Sequence, residues 1–190
     1  EVDGSVHTMG GEVYIADVVG NVKGTTMGGE VTYSNVKAST RSGASQDEVR
    51  IKTMGGDINV DEATYGANLH TMGGDIRIDS VDGWVHAVTM GGDIDVTGGS
   101  VQSAGGNISV LAAGSVSQSA AGDIMTLGLN QTIDVVAGSG SVTMADGAIL
   151  STADGDILVA AEEAAGTSTV SSGSSTGCCA WPSRSRGMLT

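Results

Sequence analysis

The sequence predicts an all-β protein: a single-domain parallel β-solenoid of roughly ten rungs, with coils of about 18 residues and a Gly/Ser-rich C-terminal tail. The first observation is a repeated segment, Thr-Met-Gly-Gly followed by an acid and then Val or Ile, which occurs five times. The second is its period, because three of the four intervals between copies are equal, and a fixed period indicates a repeat architecture. The second glycine of each copy stands at Gly11, Gly29, Gly56, Gly74 and Gly92. The third is the alternation of apolar and polar residues between the copies, which is typical of strands.

Each coil is predicted to contain two short strands and two turns. In the segment 75–90, Ile76 and Ile78 alternate with charged residues, and Val85 and Ala87 begin a second alternating run after a Ser-Val-Asp-Gly turn. Stacked coils would align equivalent residues about 4.8 Å apart, and β-branched side chains suit such a ladder. The predicted inward column is Val13, Val31, Ile58, Ile76, Ile94, Ile108, Ile124 and Ile157.

The one longer interval, from Gly29 to Gly56, is interpreted as one period with an inserted polar loop at 37–47. Weaker copies of the repeat follow after residue 104, so the second half is predicted to be a degenerate continuation and not another domain. The predicted organisation is a solenoid domain at 1–165 and a Ser/Gly-rich tail at 166–190 that docks on the chain or on a neighbouring subunit.

The repeated tetrapeptide is interpreted as a structural corner. Its threonine faces the interior, its glycine pair permits positive φ and a tight bend, and its methionine folds back to seal the end of a thin core. A methionine column could also hold copper or haem, but soft-metal sites gather two or three ligands locally, which favours corner packing. The predicted corner residues are Thr8, Met9, Gly10, Gly11, Thr26, Met27, Gly28, Gly29, Thr53, Met54, Gly55, Gly56, Thr71, Met72, Gly73, Gly74, Thr89, Met90, Gly91 and Gly92.

The acid after each glycine pair forms a further column, and two interpretations of it stay open. The carboxylates could accept hydrogen bonds from backbone N–H groups at the turn, or Ca²⁺ could bridge them between rungs. Calcium-binding β-rolls also have coils of this length, but they carry a glycine-rich nonapeptide with Asp in each half-coil, and this chain has the glycine pair in only one half. No metal site and no cofactor are therefore predicted, with Ca²⁺ as the alternative. The column is Glu12, Glu30, Asp57, Asp75, Asp93, Asn107, Asp123 and Asp156.

No set of catalytic residues is recognisable in the sequence. His7 and His70 fall in one outward column with Thr25 and Lys52 between them, and His86 is offset by two positions. No combination of His with Asp and Ser, or with Cys, recurs as a nucleophilic site requires. The protein is therefore predicted not to be an enzyme.

Charge and hydropathy restrict the partners. The net charge is −14, and the segment 79–163 has eleven acids and neither Lys nor Arg, so it would repel the phosphates of a nucleic acid. No apolar run approaches the roughly 18 residues of a membrane span, and no basic-then-apolar leader is present. Because the chain begins at Glu1, it is expected to be a mature form without its leader, or a fragment.

The segment "GGDIRIDSVDGWVHAVTMGGDIDV" (Gly73 to Val96) resembles the repeat of a bacterial family of β-strand repeat proteins that carries the name of adhesins. The resemblance covers the chain from about Val6 to Val159. It implies a right-handed or flattened parallel β-solenoid that is exported or attached to the cell surface. The molecular function of that family is mostly unassigned, so the resemblance implies fold and location more than activity.

The predicted function is structural: an exported solenoid that self-assembles into a homo-oligomeric extracellular fibre or a surface layer. The tail has two arginines and no acids, so it would be attracted to the acidic half of a neighbour. The predicted assembly contacts are Cys178, Cys179, Trp181, Arg184 and Arg186. The alternative is an adhesin that recognises a host or cell-surface glycan or protein through a β face, with Tyr14, Tyr65 and Trp84 as exposed contacts.

Overall fold

The computed structural model describes residues 4–37, 48–161 and 170–172, and every regular element in these ranges is a β-strand. None of these residues forms a helix that could span a membrane. The strands are β1 (Gly4–Thr8), β2 (Val13–Val19), β3 (Val22–Thr26), β4 (Val31–Lys37), β5 (Glu48–Thr53), β6 (Ile58–Ala63), β7 (Gly66–Thr71), β8 (Ile76–Asp82), β9 (Val85–Thr89), β10 (Ile94–Val96), β11 (Ser100–Ser103), β12 (Ile108–Ala112), β13 (Val116–Gln118), β14 (Asp123–Leu129), β15 (Ile133–Ala137), β16 (Val142–Met144), β17 (Leu150–Asp154), β18 (Ile157–Ala161) and β19 (Val170–Ser172).

The strands form two parallel sheets that wind around one core, which confirms the predicted parallel β-solenoid. Sheet 1 has eight strands in the order β1-β3-β5-β7-β9-β12-β15-β18, and sheet 2 has eleven. Each strand of sheet 1 marks one coil, so the described residues form eight coils where roughly ten rungs were predicted. The difference arises because the later coils are longer than the early ones.

The early coils follow the predicted period. In sheet 2, Val13 pairs with Val31 and Ile58 pairs with Ile76, as the spacing of the corner segment requires. The predicted loop at 37–47 begins at the last residue of β4, and its residues 38–47 lie outside the described ranges.

Asp17 and Asn35 have φ of 56° and 52° and bend β2 and β4 at the same register position. The Nδ2 of Asn35 donates a hydrogen bond of 2.5 Å to the Oδ1 of Asp17 across the bend.

The later coils have three strands each, because two strands take the place of the one long strand that each early coil contributes to sheet 2. One end of β8 pairs with β10 and the other end with β11, and the Gly98–Gly99 pair lies between these two partners. An additional turn per coil lengthens the period. The strands β9, β12, β15 and β18 therefore align residues that lie further apart in sequence than the paired residues of the early coils: Val85, Ile108, Ile133 and Ile157.

This lengthening makes the predicted inward column wrong beyond Ile94. Ile94 pairs with Val116, whereas Ile108 and Ile157 belong to sheet 1 and Ile124 pairs with Val101 on the third side of the coil. All but one of the predicted isoleucines are buried; Ile157, in the last strand of sheet 1, is partly exposed.

The core is a thin double layer of Val, Ile, Leu and Ala side chains, with Tyr33 and Tyr65 as two large exceptions. Tyr33 is fully buried between Ile15 and Val60 in its column. Its hydroxyl donates a 3.3 Å hydrogen bond to the carbonyl of Val22, and the hydroxyl end of the ring lies next to Gly24. Burial, with a smaller contribution from the neighbouring Tyr65, raises the pKa of Tyr33 well above its usual range.

Candidate functional site

The predicted corner residues come together at one corner of five consecutive coils, and the threonines clamp these coils to one another. The Oγ1 of Thr71 accepts a hydrogen bond of 3.1 Å from the backbone nitrogen of Gly74 and donates one of 3.0 Å to the carbonyl of Gly56 in the preceding coil. Thr89 repeats both bonds at 3.0 and 2.7 Å. Thr8, in the first described coil, is partly exposed and keeps only the bond from Gly11. The other four hydroxyls are buried and bonded on both sides, so the threonine is the residue that holds the corner together.

Close packing between coils requires the second glycine in four of the five pairs; at Gly11, in the first described coil, a Cβ atom would meet only the Oγ1 of Thr8, at 3.5 Å. A Cβ atom on Gly56 would overlap the carbonyl oxygen of Gly29 and lie 2.9 Å from the backbone nitrogen of Glu30. Gly29, Gly74 and Gly92 have the same overlap with the preceding coil. The predicted positive φ of the pair is wrong, since φ lies outside the left-handed region at every corner glycine. Contact between backbones, and not the bend, excludes a side chain there.

The first glycine of the pair meets much weaker constraints. A Cβ atom on Gly10 or Gly28 would have nothing within 4 Å, and on Gly55 and Gly73 it would lie 3.8 and 3.6 Å from the nearest atom. Only at Gly91 is the contact tighter, at 3.1 Å from the carbonyl of Met72. The stacking of coils therefore does not explain why the first glycine is repeated.

The prediction that the methionines seal the core is wrong, because all five are exposed. They follow the inward threonines and point outward, as alternation along a strand requires. We call this line of side chains the methionine row. It consists of Met9, Met27, Met54, Met72 and Met90, with exposed fractions of 74, 45, 46, 43 and 61%.

The acids beside the corner act as hydrogen-bond acceptors between coils. The Oδ1 of Asp57 accepts a 2.9 Å bond from the backbone nitrogen of Asp75, which in turn accepts one of 2.9 Å from Asp93. The Oε1 of Glu30 accepts a bond of 2.5 Å from the side chain of Asn59. The geometry supports the backbone-acceptor interpretation, with the donor in the next coil and not in the same turn. Among the described residues, no group of three or more His, Cys, Asp or Glu side chains could hold a metal ion.

The three aromatic residues predicted as exposed contacts differ in their environment. Tyr14 is 71% exposed, but Tyr65 is buried and its hydroxyl donates to the carbonyl of Gly20, so its prediction as a surface contact is wrong. Trp84 is half-buried, with its ring over the backbone of Gly66 in the preceding coil. The three therefore do not form one aromatic surface.

The outer face of sheet 1 collects positive side chains that the sequence pattern alone did not place together. Register confirms the predicted column of His7, Thr25, Lys52 and His70. A second column alongside it contains Lys23, Arg50, Asn68 and His86. Within these two columns of β1, β3, β5, β7 and β9, no residue is Asp or Glu, although the whole chain carries a net charge of −14. We call this surface the basic–histidine face; it consists of His7, Lys23, Arg50, Lys52, His70 and His86.

The predicted assembly contacts Cys178, Cys179, Trp181, Arg184 and Arg186 lie outside the described residues. The predicted boundary between solenoid and tail also lies outside them, in residues 162–169. Three residues of the predicted tail are described: Val170–Ser172 forms β19, which adds to sheet 2 beside β16. A part of the tail therefore continues the solenoid.

Comparison with known proteins agrees with this architecture. The family model described as Toastrack DUF4097 matches residues 3–108, which is more than half of the chain and contains all five copies of the corner segment. No curated protein and no solved structure shows significant similarity to the chain. The match supports a family of β-repeat proteins, while the name of adhesin stays a prediction. By sequence and by its stacked parallel strands, the chain belongs to the Toastrack DUF4097 family.

Proposed function

We propose that the protein is a structural module without catalytic activity, which is exported and self-assembles end to end into an extracellular fibre or a surface layer. The observation that supports this proposal is the exposure of Val6 in β1. Val6 faces the interior in register with Gly24, Ile51 and Leu69, yet 43% of its surface is exposed, whereas Ile51 and Leu69 are buried. At the other end of sheet 1, Ile157 is also less buried than its neighbour Ile133.

A second chain stacked on such an end would continue the ladder of parallel strands and the apolar interior together. Contacts between opposite ends are heterologous, and a heterologous contact that does not close into a ring generates a filament. In the proposal, Arg184 and Arg186 are attracted to the acidic half of a neighbour, Trp181 anchors the joint, and Cys178 or Cys179 cross-links it in an oxidising compartment.

The test introduces a charge at the proposed joint. Val6→Lys should raise the concentration needed for assembly by about tenfold or more, because stacking would bury an unpaired ammonium group. Ser5→Lys is the matched control, since Ser5 lies next to Val6 on the exposed outer side. Sedimentation velocity and electron microscopy would measure assembly over a range of concentrations, and circular dichroism would verify that both variants fold. An intact chain that stays monomeric at high concentration, or a Val6→Lys variant that assembles normally, would refute end-to-end assembly.

A second candidate function is an adhesin that recognises an anionic glycan, and the basic–histidine face favours it. Lys23, Arg50 and Lys52 lie on adjacent strands and are exposed, and strands about 4.8 Å apart present these charges as a flat surface. The negative groups of an acidic polysaccharide would be attracted to such a surface in an otherwise acidic protein.

A glycan array with acidic and neutral glycans would test this function. Lys52→Glu should weaken binding to acidic glycans by about tenfold, whereas Lys37→Glu should have little effect because Lys37 is exposed outside the face, at the end of β4. Equal losses in the two variants would indicate a response to net charge alone. Binding of neutral glycans at the same strength would also contradict recognition by this face.

A further inference from the structure

We infer that the methionine row binds soft monovalent metal ions of the Cu(I) class. This site is independent of the proposed assembly and of the basic–histidine face. The fold leaves one question open at the corner: why five exposed positions in a line all carry methionine.

The corner does not need methionine in order to form. The equivalent corner of the next coil, Ala112-Ala113-Gly114-Ser115, has alanine in place of both threonine and methionine, and it still stacks on the preceding coil through a 3.0 Å bond from the backbone nitrogen of Gly114 to the carbonyl of Gly92. Along the strands, by contrast, the exposed or half-exposed positions of one outward column differ from coil to coil. The outward column of β2, β4, β6, β8 and β10 is Tyr14, Thr32, Asn59, Arg77 and Asp95. Methionine is thus repeated at positions where neither packing nor stacking requires it.

The register of the coils places neighbouring thioethers at a spacing suited to one metal ion. Thr26, Thr53 and Thr71 pair in successive strands, so the methionines that follow them also lie in successive coils, about 4.8 Å apart along the stack. Two sulfur ligands on opposite sides of one ion are separated by twice the metal–sulfur bond length of about 2.3 Å. That separation is close to the spacing of the coils. The three rotatable bonds of methionine allow the two sulfur atoms to turn toward one ion.

The first glycine of the pair adds access to this site. At Gly10 and Gly28 a Cβ atom would enter open space, and its absence leaves the side of the row next to the methionines uncovered. The methionine and the first glycine are the two positions of the segment that stacking explains least, and they are adjacent. Open space beside exposed sulfur atoms is the arrangement that entry of an ion requires.

The chemistry of the donors selects the ion. Thioether sulfur is a neutral, soft ligand, which favours Cu(I) over Zn²⁺ or Ca²⁺. The site has no proton to lose, and binding requires no redox step. The net charge of −14 would also raise the local concentration of cations around the chain.

The test uses Ag(I), which has the same preference for soft ligands and resists oxidation, together with Cu(I) under anaerobic conditions. Both are titrated into the full chain with Cys178→Ser and Cys179→Ser, because thiolates would otherwise compete for the ion. Calorimetry in chloride-free buffer should detect about two ions per chain, since five sulfurs in a row supply two separate neighbouring pairs and leave one sulfur over. Zn²⁺ and Ca²⁺ should give no binding to the row.

The decisive variant replaces Met9, Met27, Met54, Met72 and Met90 by leucine. It should fold normally, because these side chains are exposed, and its affinity for Ag(I) should fall by at least about a hundredfold. The matched control replaces the remaining methionines, Met125, Met144 and Met188, and should bind as before. In the unsubstituted row, carbon-13 NMR of the methionine methyl groups should show shifts at the five row positions when Ag(I) is added. Unchanged binding by the five-leucine variant, or methyl shifts confined to the other three methionines, would overturn the inference.

Discussion

Gly56→Ala should destabilise the solenoid strongly, lowering the free energy of unfolding by about 3 kcal/mol or more. The added methyl group would overlap the backbone carbonyl of Gly29, and a backbone atom in a stacked coil cannot rotate away as a side chain does. The two coils would have to separate, which also lengthens the 3.4 Å bond from the Oγ1 of Thr53 to the same carbonyl. For a chain of this length, a loss of this size corresponds to a decrease in Tm of about 6–12 °C.

Gly55→Ala is the matched control, because it adds the same methyl group one residue earlier in the same corner. There the methyl group would lie 3.8 Å from the carbonyl of Met27, which is an ordinary contact. Tm should stay within about 2 °C or rise slightly, since alanine restricts the unfolded chain more than glycine does. Thermal unfolding followed by circular dichroism would measure both variants. Equal Tm values for the two would show that close packing of backbones does not set the position of the second glycine.

The sequence predicts the strand register correctly where its period is constant. Between Val13 and Ile94 the copies of the corner segment are equally spaced, except for the one interval that contains the inserted loop. Equivalent residues can therefore be aligned from the sequence alone. The observed register of Val31 with Ile58 and of Ile76 with Ile94 agrees with that alignment. The histidine column follows for the same reason, because it rests on the same spacing.

Beyond Ile94 the sequence could not be aligned correctly, and the physical reason is the short length of the strands. The strands β10, β13 and β16 have three residues each. An alternation over so few residues fits any side of a three-sided coil, so Ile108 and Ile124 were assigned to the side of Ile94. Only hydrogen-bond pairing between strands distinguishes the sides.

The candidate sites depend on the direction of side chains and on the register between strands. The length and flexibility of methionine suggested that Met72 would fold back over the core. Backbone alternation from the inward Thr71 instead places it outside, where 43% of its surface is exposed. The basic–histidine face was not recognised because Lys23, Arg50 and His86 are far apart in sequence and become neighbours only through the register of four strands.

Ile76→Asp should have the second large effect, an unfolding of most of the stack. Ile76 is fully buried and lies between Ile58 and Ile94 in its column. The buried side-chain polar atoms of the described residues all have hydrogen-bond partners, so no unpaired group there is available to a new carboxylate. Burial of an unpaired charge, together with the lost packing of isoleucine, should cost about 4 kcal/mol or more.

His86→Asp introduces the same carboxylate on an exposed position and serves as the control. The register neighbours of His86 are Asn68 and Ser109, so the new charge meets no acid directly opposite, and the expected change is within about 0.5 kcal/mol. Unfolding by urea would give the two free energies, and the signal of β-structure without urea would show whether Ile76→Asp folds at all. Because parallel coils support one another through nearest-neighbour contacts, loss at Ile76 should spread to the coils of Ile58 and Ile94. A variant with unchanged β-signal and unchanged midpoint would contradict the continuous column on which the whole stack depends.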